Sequence, residues 1–193
     1  NAAALTIQNT QIYNMSAIGM LAQGATIDGY NNLFYDCGQT TAAFTLGGTY
    51  RMDHCSFVNY WSEGVRQAPS VIMADWYEDV NGQIQQRSFE GSSFNNCIFW
   101  GNNHSLTDFD EFVVSMINPP VNPIIRYSAV DVQDDEFPFS ILENCTVDQV
   151  PPFASITSRD FHIDSNNALW DGSFGQFSIP VDLDGNPRII GNP

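Results

Sequence analysis

A ten-residue phrase recurs along this chain with variations, and it constrains the fold more than any other feature. It reads LTIQNTQIYN at 5–14, IDGYNNLFYD at 27–36, RMDHCSFVNY at 51–60, SFNNCIFWGN at 93–102 and ILENCTVDQV at 141–150. Apolar residues alternate on both sides of a small turn residue, which is Thr10, Asn32, Cys55, Cys97 and Cys145 in turn. The first two steps, Thr10 to Asn32 and Asn32 to Cys55, are nearly equal. The next two, Cys55 to Cys97 and Cys97 to Cys145, are roughly doubled. Self-similarity at such spacings marks a solenoid, whose repeats cannot bury an apolar face alone and must stack on their neighbours.

The side-chain period decides the kind of solenoid. Ile12, Phe34, Phe57, Phe99 and Val147 each lie two residues past the anchor, the spacing that keeps a strand residue on the same face. Each of the first four phrases is followed by a second apolar run: AIGMLA (17–22), TAAFTL (41–46), SVIMA (70–74) and EFVVSM (111–116). The order is strand, Asn/Cys corner, strand, short loop, strand, then the next phrase. Three strands per coil predict an all-β chain, a right-handed parallel β-helix with turns stacked at about 4.8 Å. Few polar stretches carry a 3.6-residue apolar stripe, and the Leu-x-x-Leu-x-Leu frame of a leucine-rich repeat is missing.

Four stretches, FTLGGTYRMDHCSFVNYW (44–61), FNNCIFWGNN (94–103), RDFHIDSNNALWDG (159–172) and VDLDGNPRIIGNP (181–193), carry a family likeness. In these the chain resembles secreted right-handed β-helix proteins of bacterial surfaces, of the Bacteroidetes type. The resemblance implies coils over 1–172, a closing or capping segment over 173–193, and an extracellular or cell-surface location. It implies little about activity. The Asp-x-Gly-Ala-Tyr-like continuation of such closing phrases is missing here. The chain opens at Asn1 inside an apolar alternation, so it is expected to be part of a longer solenoid. Its first strand should then abut another coil or protomer, and segment 173–193 should lie across the last coil.

The chain has 22 acidic residues against 6 basic ones, all Arg, for a net charge of −16. Nucleic-acid phosphates and anionic lipid both need cationic contacts, so neither is an expected partner. No apolar run is long enough for a membrane span. A solvated acidic surface accounts for the charge more simply than a dedicated binding site does. The four cysteines, Cys37, Cys55, Cys97 and Cys145, are expected as free, buried thiols: three of them occupy one corner of successive coils, and parallel side chains stacked there seldom reach disulfide torsion.

The two long steps, from Cys55 to Cys97 and from Cys97 to Cys145, exceed one compact turn. They are read as insertions at 78–91 and 118–138 on one flank, where solenoids commonly carry function. The alternative is a hidden coil, with PIIRYSAVDV (123–132) as a degenerate strand. On the insertion reading, Trp76 and Tyr77 form an aromatic platform for a sugar and Arg87 and Arg126 supply cationic contacts. Asp131, Asp134, Asp135 and Glu136 form an oxygen cluster able to hold calcium. The simpler reading of the two arginines is an ion pair with Glu90 or Asp131. Asp182-Leu183-Asp184-Gly185-Asn186 has the start of a calcium loop but no acid at its twelfth position, so a tight Asp-Gly turn explains it. His54, His104 and His162 lack zinc spacing.

The leading expectation is a non-enzymatic surface β-helix for adhesion, glycan binding or structural support, with a polysaccharide or cell-surface glycan as partner. The rival is a polysaccharide lyase or glycoside hydrolase. The lysine-base form of a lyase is excluded by composition, and a hydrolase would need two carboxylates about 5–10 Å apart.

Overall fold

The structure, a computed structural model, describes residues 4–105, 109–117, 123–133, 137–163 and 179–188. The chain runs repeatedly through three parallel sheets. The first circuit is β1 (Leu5–Gln8), β2 (Gln11–Met15) and β3 (Ile18–Gln23); the second is β4 (Thr26–Tyr30), β5 (Leu33–Cys37) and β6 (Thr40–Thr45). The third is β7 (Thr49–Asp53), β8 (Ser56–Asn59) and β9 (Val71–Ala74), followed by a small antiparallel hairpin, β10 (Trp76–Glu78) and β11 (Ile84–Gln86). The fourth is β12 (Ser93–Asn95), β13 (Ile98–Gly101) and β14 (Phe112–Ser115). Two shorter circuits follow, β15 (Ile124–Arg126) with β16 (Ala129–Val130), then β17 (Leu142–Glu143) with β18 (Thr146–Val147). A second antiparallel pair, β19 (Phe153–Ser155) and β20 (Asp160–Ile163), leaves the parallel sheets.

The first strands of the six circuits form one sheet in the order β1-β4-β7-β12-β15-β17, and the second strands form another, β2-β5-β8-β13-β16-β18. The third strands of the first four circuits form the third sheet, β3-β6-β9-β14. The molecule is therefore all-β with parallel sheets, an arrangement compatible with a β-helix. Among the described residues, helix is confined to two single turns, Asn102–Ser105 and Phe139–Ile141.

Register explains the alternation in the sequence. Ile12, Phe34 and Phe57 align across β2, β5 and β8, and Phe99, Val130 and Val147 continue the column. Phe34 and Phe57 stack with ring centroids 5.0 Å apart, and Phe57 and Phe99 at 5.4 Å, both pairs with nearly parallel rings. Phe44, Phe94 and Phe112 fill the same interior from the other sheets, so aromatic burial dominates the core. All four cysteines are free; Cys37, Cys55 and Cys97 are buried and Cys145 partly so. Burial pushes the Cys55 thiol up to about 12, which leaves it inert filler at neutral pH.

The corner between the first two sheets is the same in every circuit. Asn9, Asn31, His54, Asn96, Tyr127 and Asn144 all sit there with φ between 50° and 55°. Asn tolerates this left-handed conformation better than most residues. The next residue, the anchor, turns inward and ties the corner: Asn32 accepts from the Thr10 amide at 3.1 Å and donates to the Ile7 carbonyl at 2.9 Å.

The insertion reading of the long steps needs correction. Residues 123–133 of the expected insertion 118–138 form β15 and β16 and continue two of the sheets. The step from Cys97 to Cys145 hides a circuit because Tyr127-Ser128 stands where its neighbours carry Asn-Cys. Ser128 takes the place of the anchor, its hydroxyl accepting from the Cys97 amide at 2.9 Å. The step from Cys55 to Cys97 does hold an outgrowth, the β10–β11 hairpin. From it the chain returns across Gly47, where an added Cβ would lie 2.1 Å from the Arg87 carbonyl oxygen. That step also holds 60–70, between β8 and β9, and the next circuit has its counterpart at 102–111.

Candidate functional site

Those two corner loops meet at a buried ion pair that the sequence reading did not single out. Arg66 and Glu111 have fully buried side chains and pair in the bidentate fork geometry that suits guanidinium and carboxylate. Arg66 Nη1 donates to Glu111 Oε2 at 2.7 Å, and Nη2 donates to Oε1. Glu111 also accepts from the Ser70 amide at 2.9 Å, the Ser70 hydroxyl at 2.8 Å and the Asn103 amide at 3.0 Å. Arg66 further donates to the Asn59 carbonyl and to Asn102 Oδ1. Gly101 leaves room for the carboxylate: a Cβ there would lie 2.1 Å from Oε1. With so many partners and no exposure, this carboxylate acts as a clasp between loops rather than a site for a ligand.

Of the residues expected on the insertion flank, Trp76, Tyr77 and Arg87 share the β10–β11 hairpin and its return, whereas Arg126 and Asp131 belong to the fifth circuit. Trp76 donates from Nε1 to the Ser115 hydroxyl at 3.0 Å, and Tyr77 lies beside it in the hairpin opposite Gln85. Arg87 pairs with Glu90 at 3.5 Å and donates to the Gly24 carbonyl at 3.1 Å. Arg126 pairs with Glu143 of the next circuit at 2.6 Å, not with Asp131. Asp131 is buried in the wall of the stack, its amide donating to the Phe99 carbonyl at 3.0 Å. Asp134, Asp135 and Glu136, the other expected calcium ligands, lie outside the described residues. No group of three or more His, Cys, Asp or Glu side chains is placed to hold a metal ion among the described residues.

A concave feature lies elsewhere, on the outer face of the second sheet. It is a cleft of about 720 Å³ between that sheet and the C-terminal part of the chain. The floor is built from the outward residues Gln11, Leu33, Ser56, Ile98 and Ala129, with the left-handed corner residues Asn31, His54, Asn96 and Tyr127 along one side. Outward residues of adjacent parallel strands stand in rows at strand spacing, so the floor is flat and periodic. Side chains along the corner touch their neighbours: Asn31 Nδ2 lies 3.2 Å from Asn9 Oδ1, and Asn96 Nδ2 lies 3.1 Å from His54 Nε2.

The opposite wall comes from β20 and the turn at 182–188. Segment 173–193 was expected across the last coil, yet its described stretch, 179–188, docks on the second circuit. Arg188 Nη2 donates to Asn31 Oδ1 at 2.8 Å, and Asn31 Nδ2 donates to the Val181 carbonyl at 2.8 Å. Arg159 is fastened to Asp36 and to the Tyr60 carbonyl, which anchors the start of β20. The stretch Asp182–Asn186 is the tight turn that its sequence suggests. Asp182 Oδ1 accepts from the amides of Asp184 at 3.0 Å and Asn186 at 2.8 Å, and Gly185 takes φ 84°.

His162 joins the two halves of this wall. Its ring nitrogens lie 2.5 Å from Asp160 Oδ1 and 2.5 Å from Asp184 Oδ2. Both nitrogens face acceptors, so the imidazolium form satisfies the contacts best. The hydrogen bond to Asp160, then that to Asp184, raises the His162 pKa, while the same bond lowers that of Asp160. Sequence reading placed His162 among scattered histidines; its partners lie 2 and 22 residues away, and no motif spacing reveals the second.

The cleft thus offers amide, imidazole, guanidinium and carboxylate groups over a flat floor with apolar patches, and Phe161 at its side. No helix among the described residues is long and apolar enough to cross a membrane. Comparison of the chain with protein-family models, curated proteins and solved structures finds no match to any of them.

Proposed function

We propose that this chain is a right-handed parallel β-helix of the secreted bacterial-surface type and serves as a non-enzymatic glycan-binding, adhesive or structural segment. The observation that carries the binding role is the cleft of about 720 Å³, a size within the roughly 300–1,000 Å³ range of small-molecule sites. Sugars present alternating hydroxyls and apolar ring faces, and the cleft supplies both kinds of partner: Asn31, Asn96 and Arg188 at its sides for hydroxyls, Leu33 and Ile98 in its floor and Phe161 at its side for ring faces. The proposed site therefore moves from the insertion flank to the second sheet. An extracellular location agrees with a ligand of this kind.

A second reading, a polysaccharide-degrading enzyme, draws on His162 held between Asp160 and Asp184 at the cleft wall. The three groups saturate one another, which suits a fastening more than a proton shuttle. One experiment separates the readings. A glycan array followed by calorimetry on the best hit, with a reducing-end assay alongside, should show binding without new reducing ends. Ser56→Trp, which fills the floor from an outward position, should abolish that binding while the circular dichroism stays unchanged. Retained binding in Ser56→Trp would refute the cleft as the site, and release of reducing ends would favour the enzyme.

A further inference from the structure

The two walls of the cleft stand at opposite ends of β5. At the corner end, Asn31 holds the 179–188 stretch through the Val181 carbonyl and the Arg188 guanidinium, each at 2.8 Å. At the far end, Asp36 holds Arg159, and Tyr35 meets Phe161 edge-on with ring centroids 5.5 Å apart. Between them Leu33 faces outward into the floor. From Asn31 to Tyr35 the backbone advances roughly 13 Å, at about 3.3 Å per residue. His162 of the far wall and Asp184 of the corner wall bridge that span above the floor, their side chains 2.5 Å apart.

The bridge depends on one proton. The imidazolium donates from both nitrogens, to Asp160 on its own strand and to Asp184 on the turn. The neutral ring keeps one N–H and turns a bare lone pair toward the other carboxylate. Asp160 lies two residues away, and its carboxylate also accepts from the His162 amide at 3.2 Å, so the local contact is the one retained. The remote contact has to order two separate elements, and it is released. The other charged groups around the ring are engaged elsewhere. Arg159 pairs with Asp36, Asp182 accepts from the turn amides and Asn186, and Arg188 donates to Asn31 and the Val181 carbonyl. His54 lies in the corner, 3.1 Å from Asn96 Nδ2. The bonds to Asp160 and then Asp184 keep His162 charged above its ordinary range.

We propose that the His162–Asp184 contact is a proton-operated latch over the cleft: protonated His162 holds the roof shut, and loss of that proton opens the floor. That the molecule admitted is a glycan rests on the function proposed above; the latch itself does not. All three side chains are about half exposed, so the latch is weak and changes access by a small factor rather than closing it outright.

A reporter thiol in the floor tests the latch without any glycan. Ser56→Cys places it on the strand beside Leu33, and the parent chain, whose cysteines are buried or partly so, serves as the blank. Iodoacetamide labelling of Ser56→Cys is compared with that of Ser56→Cys/Asp184→Ala at the same pH, which cancels the thiol's own titration. Asp182, which ties the turn, is kept, and circular dichroism should be unchanged. Below the His162 transition the double variant should label about two- to fivefold faster, the factor an exposed ion pair supplies. Above the transition the two should label equally. Equal labelling below it, or an excess that persists above it, overturns the latch. With a bound glycan, the association and dissociation rates of the parent chain should rise together above the transition and leave Kd unchanged. A change in dissociation alone would mean that His162 touches the ligand and would also overturn the latch. Labelling that follows the latch while no glycan binds removes the glycan reading only; a bound glycan with labelling equal in both variants removes the latch only.

Discussion

The two turns that each circuit makes between its strands are built on opposite principles. The corner from the first sheet to the second is one left-handed residue and one inward anchor, repeated six times with little change. The corner from the second sheet to the third is a short link in two circuits and a long loop in the next two. The first is fixed by backbone geometry within a few residues. The second is fixed by a contact between Arg66 and Glu111, 45 residues apart, that has no local signature. Such a stack of parallel sheets can therefore vary one corner freely while the other keeps the register.

The clasp gives the sharpest way to break this comparison. Glu111→Ala leaves Arg66 buried without its counter-charge and should destabilise by about 3–5 kcal/mol in chemical denaturation. Arg66→Met with Glu111→Leu should recover much of that loss, because an apolar pair needs no desolvation of ions. If the single variant is as stable as the parent, the long corner is not held by this pair.

The local corner should respond more mildly and with a different pattern. Asn96→Val puts a β-branched residue at φ 54°, and a loss of about 1–2 kcal/mol is expected. Asn96→Gly should keep most of the stability, since glycine accepts that conformation without strain. Equal losses in both variants would locate the role of Asn96 in its side-chain contact with His54 instead.

Thiol titration tests the column beneath that corner. No thiol should react quickly in the native protein, least of all Cys55 and Cys97, and all four should react in denaturant. Fewer than four on unfolding would mean a disulfide and would break the stacked arrangement.

The smallest effect concerns the wall of the cleft. The His162 pKa is raised in the folded state, so its contribution is full below the unfolded value near 6.5 and is lost as pH rises through the folded value. The Asp160 pKa is lowered, so its share is present above the ordinary carboxylate range and is lost as pH falls through the folded value. The fastening is thus strongest between the lowered Asp160 and the raised His162 values. Both groups are solvent-accessible, so global stability should change little. The protection of the 182–188 amides, taken relative to their intrinsic exchange rates, should instead fall above the His162 transition. Protection that stays flat across that transition would show the turn is held by Arg188 and Val181 alone.

How much of this was legible follows from the same contrast. The period-two columns through Phe34, Phe57 and Phe99, the free thiols and the Asn corner could all be read from the sequence, because each is set by neighbours at fixed short offsets. The fifth circuit was legible only as the alternative reading of 123–132 as a hidden coil, since Ser128 replaces the cysteine and Tyr127 the asparagine while meeting the same steric demands. The insertion flank was located by excess length alone, and length cannot distinguish a loop from an unmarked circuit. The cleft was invisible for a different reason: Asn31 meets Val181 across 150 residues and Arg188 across 157, and no pattern within one repeat encodes such a docking.

The strands of the second sheet shorten along the stack, from 5 residues in β2 to 2 in β18. Under tension the stacked strands have a weak side. Each circuit is held by its neighbours alone, so the number of ladder hydrogen bonds that must break falls steadily toward the sixth. A pull on the 179–188 stretch first peels it from Asn31, baring the floor of the cleft, and the sixth circuit resists less than those before it. The broad first circuit, with its long strands, yields last.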